Sequence, residues 1–200
     1  MLAVVALSSL IGPRCASAET LSCTVFKARL DQAMREGSAH GTTPLTFTRV
    51  GDGAASGTRY DWSGSPGLSG KLTCGPDDAF ADFYMMIDPA TRPSIAVPAD
   101  ISRFTDLGAA SICALSAGSP PACQAMMTAM TQDGIDQYEE DLAHHDPQPQ
   151  SLQDYDFAKD LDAVFYVTPR TMSWAIGPGL FTTVEAERPA LAPVDRDKGD

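Results

Sequence analysis

No C-x-x-C pair occurs in this chain of 200 residues, which argues against thioredoxin-like redox chemistry and zinc knuckles. A G-x-S-x-G elbow is missing too. So are a Gly-rich phosphate loop, a dinucleotide fingerprint and a calcium loop of the D-x-D-x-D-G type with its distal Glu. Histidine is scarce, at three residues, so there are few bases for nucleophilic catalysis. Basic side chains are few: 14 Lys and Arg stand against 26 Asp and Glu, a formal net charge of −12. That balance works against binding nucleic acid or an anionic membrane by charge. No repeat recurs at a fixed period. Beyond the N-terminal stretch no apolar run has the length of a bilayer span, so no stable membrane insertion is expected of the processed chain.

The N-terminus reads as a targeting segment. Leu2 to Ile11 is apolar but too short to cross a bilayer. Gly12-Pro13 and then Ala16-Ser17-Ala18 follow it, a helix break and an A-x-A site. The pattern predicts a signal peptide over 1–18, cut after Ala18, although no Lys or Arg precedes the apolar run. The expected destination is the periplasm or the exterior. Cleavage removes Cys15 and leaves Cys23, Cys74, Cys113 and Cys123, an even set in an oxidising compartment. Four cysteines allow three pairings. The favoured one joins Cys23 to Cys74 and Cys113 to Cys123. Loop entropy gives roughly 3 kcal/mol for the short loop and about 4 kcal/mol for the long one.

Hydrophobic residues make up 44% of the chain, enough for a core, and their period changes along it. Val25, Phe26, Leu30, Ala33 and Met34 recur at helical spacing after Ser22, a suitable N-cap. Pro44 onward alternates. Four short strands follow, at Leu45–Val50, Thr58–Trp62, Leu68–Cys74 and Phe80–Ile87, separated by Gly, Pro, Ser and Asp turns. The last is mostly apolar and therefore central. From Pro98 a helical stripe runs through Ile101, Phe104, Leu107, Ser111, Ile112 and Leu115. After Ser116–Pro120 a second stripe holds Cys123, Met126, Met127, Met130, Gly134, Tyr138 and Leu142. These two helices predict a hairpin stapled by Cys113–Cys123. Ser151–Asp162 reads as a helical turn, and Val164–Val167, Thr171–Ile176 and Leu180–Val184 as closing strands. The expected architecture is α+β. An N-terminal helix, an antiparallel meander and a stapled hairpin are completed by a C-terminal β-hairpin or meander joining the sheet. One domain is expected over 19–187, with a tail at 188–200.

Candidate sites are few. Asp133 to Asp162 is rich in carboxylates, but charge runs usually face water. His144 and His145, with Asp141 a turn earlier, are the residues available for a divalent metal. Adjacent helical side chains diverge, and His at a helix C-terminus is explained by the dipole. The methionines fit core filling better than copper binding. Asp61, Asp82 and Asp88 could supply the carboxylates of a glycosidase-like hydrolase if the fold brought them together. Tyr60, Trp62 and Trp174 would mark a binding surface if exposed, but burial under the helices is the expected fate. With no catalytic signature and no cofactor motif, the reading is an exported, non-enzymatic binding or protein-interaction module with a partner in the cell envelope. A secreted hydrolase and a metal-binding protein are the alternatives.

Overall fold

The computed structural model describes residues 21–37, 44–53, 57–65, 67–87, 98–116, 118–144, 151–158, 161–169 and 171–178. The expected signal peptide at 1–18, the expected strand at 180–184 and the expected tail at 188–200 lie outside them. In chain order the elements are α1 (Cys23–Gly37), β1 (Thr46–Gly53), β2 (Gly57–Ser65), β3 (Leu68–Cys74), β4 (Phe80–Ile87), α2 (Pro98–Leu115), α3 (Pro120–Ala143), β5 (Ser151–Ala158), β6 (Leu161–Val167) and β7 (Met172–Gly177). The strands form one antiparallel sheet in the order β1-β2-β3-β4-β7-β6-β5. The fold is α+β, with two disulfides, Cys23–Cys74 and Cys113–Cys123.

The sheet has two faces of different character, as period-two alternation requires. On β4, Phe83, Met85 and Ile87 are buried, while Asp82, Tyr84 and Met86 between them are only partly covered. On β7 the buried Met172, Trp174 and Ile176 share the face of Phe83, because Phe83 pairs with Ile176 across the strands. The three helices pack side by side on this face, with α2 in the middle. Phe26 of α1 meets Phe83 at 5.4 Å, and Phe104 of α2 meets Phe165 of β6 edge-on at 5.9 Å. Its central place buries α2 on several sides, from Phe104 to Ala114. The apolar stripe predicted for it is therefore narrower than the surface it buries.

Local chemistry fixes the first helix. The Ser22 hydroxyl accepts the Val25 N–H at 3.2 Å, an N-cap. A second cap comes from far along the chain: Asp78 accepts the Thr24 N–H at 3.0 Å. Asp77 and Asp78 both take positive φ, at 58° and 63°, a conformation Asp tolerates better than most residues. That tight turn carries the Asp78 carboxylate to the start of α1. The Cys23–Cys74 bridge then ties the same helix start to the end of β3.

Two sequence expectations change. In place of the helical turn expected over Ser151–Asp162, Ser151–Ala158 is β5 and Leu161 and Asp162 begin β6. Tyr155 and Phe157 alternate with Asp154 and Asp156, a strand period that outweighs the helical spacing once β6 offers a pairing edge. The α3 stripe is also shorter than expected. Cys123, Met127, Met130 and Gly134 are buried, but Met126 and Leu142 are 44% and 48% exposed. Only the inner line of that helix touches the core, and Met126 stands outside it.

Candidate functional site

Trp62 and Trp174 form no binding surface. They are 2% and 0% exposed, and both indoles are committed to internal hydrogen bonds. Trp62 lies across β3 and donates from Nε1 to the Tyr84 carbonyl of β4 at 3.1 Å. Gly70 makes this possible, since a Cβ there would stand 2.6 Å from the indole. Its ring stacks on Phe83 at 5.5 Å. Trp174 donates to the Ser111 hydroxyl of α2 at 3.1 Å, and that hydroxyl donates in turn to the Gly108 carbonyl at 2.7 Å. A buried indole N–H needs such a partner, and here it locks sheet to helix. Tyr60 is half-buried on the helix side of β2, with the Lys27 ammonium 3.3 Å from its ring centre. Burial lowers the Lys27 pKa, and the nearby Asp78 carboxylate opposes that shift.

Of the metal triad, His144 and Asp141 join no cluster of three ligand-type side chains among the described residues. His144 is exposed, and its backbone N–H closes α3 on the Glu140 carbonyl at 3.0 Å. Asp141 accepts from Gln137 at 3.2 Å. His145 lies outside the described residues. The group of ligand-type side chains that does come together is Cys23, Cys74 and Asp78, with ligand atoms within 4.8 Å of one another. Its two sulfurs are bonded to each other, so it offers no thiolate.

The carboxylates considered for hydrolysis stand apart. Asp61 pairs with Lys71, and Asp82 pairs with Thr73. Both face away from the helices, but on β2 and β4, with β3 between them. Strand spacing and register put their backbones about 12 Å apart. Burial pushes the Asp82 carboxyl up, against the Thr73 hydrogen bond and the Arg59 charge. Asp88 lies outside the described residues. The acidic stretch is divided as well: Asp133, Asp136, Glu139 and Glu140 are exposed on α3, while Asp154, Asp156 and Asp162 belong to the β5–β6 hairpin.

What sequence reasoning did not find is an open groove of about 460 Å³ between α1 and the α2–α3 turn. Arg29, Gln32, Ala33 and Glu36 of α1 form one wall, and Cys113, Leu115, Ser116, Gly118 and Pro120 form the other. A crevice of about 10 Å³ continues beneath it, past Ala33 and Cys113 to Asp106 and Gln124, at the lower limit for one water. Gln124 donates to Asp106 there at 3.2 Å, fastening α3 to α2. The lining mixes an arginine, a carboxylate, an amide and a hydroxyl with alanine, leucine, proline and a disulfide. Its one carboxylate, Glu36, and its one hydroxyl, Ser116, belong to opposite walls. The sequence signal was present in α1: positions 29, 32, 33 and 36 share a helical stripe beside the apolar one at 26, 30 and 34.

No protein-family model, no curated protein and no solved structure matches this chain.

Proposed function

We propose that this protein is a non-enzymatic binding module of the cell envelope, and that the groove between α1 and the α2–α3 turn receives a short segment of a protein partner. The observation that carries this reading is the make-up of the groove. It is open and mixed in polarity, whereas sites for small molecules are enclosed and mainly apolar. Backbone and side-chain groups of a peptide match alternating polar and apolar contacts of this kind. The export reading draws support from the two disulfides, which persist in oxidising compartments, and from the A-x-A site at Ala16–Ala18. Among the described residues no helix is long and apolar enough to cross a membrane. The negative charge disfavours nucleic acid as the partner.

Photo-crosslinking in living cells tests the reading. A photoreactive residue at Gln32, in the groove, should give a discrete protein adduct. The same residue at Lys71, on the far face of the sheet, should give none. Adducts absent from Gln32, or equal at both positions, would remove the groove from consideration.

A further inference from the structure

We infer that the Cys113–Cys123 bridge is a site of thiol–disulfide exchange, open to a dithiol entering the groove, while Cys23–Cys74 is closed to one. Cys113 is half-buried and lines the groove, so a thiolate can reach its Sγ. Cys123 is 2% exposed and lies under the turn, where a Cβ on Gly118 would stand 3.2 Å from its sulfur. Access therefore selects Cys113 as the sulfur attacked and Cys123 as the leaving group. Helix electrostatics select the same direction. Cys123 sits in the first turn of α3 and Cys113 in the last turn of α2. A thiolate is favoured at a helix N-terminus and disfavoured at a C-terminus, and a better-stabilised leaving thiolate departs faster. Cys23 also begins a helix, but Cys23 and Cys74 are 0% and 1% exposed, so no reagent reaches that bridge in the folded protein.

The exchange balances with the dithiol as sole reductant. Its first thiolate bonds to Cys113 Sγ as the Cys113–Cys123 bond breaks, and the Cys123 thiolate takes a proton. The second thiol of the reagent then attacks its own sulfur in the mixed disulfide and releases Cys113 as a thiol. Two electrons and two protons pass to the bridge, and the dithiol leaves as a disulfide. Afterwards α2 and α3 remain paired through Gln124 and Asp106 and through Met127 packed at Gly108. The turn at 116–119 loses its covalent tie, and with it the groove loses a fixed wall. The inference does not rest on what the groove binds.

Graded dithiothreitol under native conditions, followed by acid quench, alkylation and peptide mapping, tests the selectivity. Cys113 and Cys123 should be alkylated at least 10-fold faster than Cys23 and Cys74, with the far-UV spectrum unchanged. Brief exposure to reduced glutathione tests the direction: glutathione should be found on Cys113 and a free thiol at Cys123. Reduction of both bridges at similar rates, reduction of neither without denaturant, or glutathione on Cys123 would each overturn the inference.

Discussion

Asp78 and Asp82 sit on either side of the start of β4, and their surroundings move their titrations in opposite directions. Burial pushes Asp78 up, but hydrogen bonds from Thr24 and Ser22 and the charge of Lys27 outweigh it and hold the carboxyl below its ordinary value. A lowered folded pKa stabilises the protein above the unfolded value, and that stabilisation is lost as pH falls through the folded value. Asp78→Ala should therefore cost about 1 kcal/mol at neutral pH, the usual worth of a helix cap, and progressively less in acid. At Asp82 burial wins and the folded pKa is raised. Its contribution is present below the unfolded value and is lost as pH rises through the folded one. Asp82→Asn should thus raise Tm at pH 7, with the gain vanishing below the ordinary carboxylate range. Thermal melts of both variants from pH 3 to 7 check the two signs. Neither carboxylate's role was legible in the sequence, because each depends on partners brought from elsewhere. The tryptophans were half legible: burial under the helices was the expected fate of Trp62 and Trp174 and both are buried, but their hydrogen-bond partners, the Tyr84 carbonyl and the Ser111 hydroxyl, come from other elements.

At the scale of elements, two helical glycines separate packing from propensity. A Cβ at Gly134 of α3 would stand 2.2 Å from the Phe165 ring, while one at Gly108 of α2 would stand 2.6 Å from the Met127 thioether. Gly→Ala gains about 1 kcal/mol of helix propensity at either site. The Phe165 ring is stiff and held against Phe104, so overpacking costs typically 1–3 kcal/mol there. Met127 has more rotatable bonds with which to adjust. Gly134→Ala should be net destabilising and the more damaging of the two, and urea denaturation of both variants checks the order. Helices and meander strands were readable from apolar period because most of them turn one side to the core, as β3 and β4 do. β5 was not, since Leu152, Tyr155 and Phe157 fit a helical turn as well as a strand until β6 supplies the pairing. The outer reach of α3 failed for a related reason: Met126 and Leu142 continue the stripe beyond the surface that α2 and the sheet offer it.

Over the whole molecule, the two bridges hold different distances of chain. Cys23–Cys74 spans 51 residues and Cys113–Cys123 spans 10. Replacing both members of the long bridge with alanine should cost about 4 kcal/mol, against roughly 3 kcal/mol for the short one. Guanidinium unfolding of the two double variants measures the difference. The pairing was legible from the even cysteine count and the hairpin between Cys113 and Cys123. The sheet order was not, because nothing local says that β7 will lie beside β4. That seam, Phe83 to Met86 against Ser173 to Ile176, has a consequence for the chain as it emerges from synthesis. β4 completes its pairing with β3 early, yet its other edge waits for β7, the last of the described strands, to arrive. Until Met172 and its neighbours appear, the most apolar strand of the meander is a bare sheet edge, the kind of edge that recruits other chains. A protein ending at Pro169 should therefore aggregate at concentrations where the full chain stays monodisperse by light scattering. The order of synthesis makes β7 the protein's own protection against self-association.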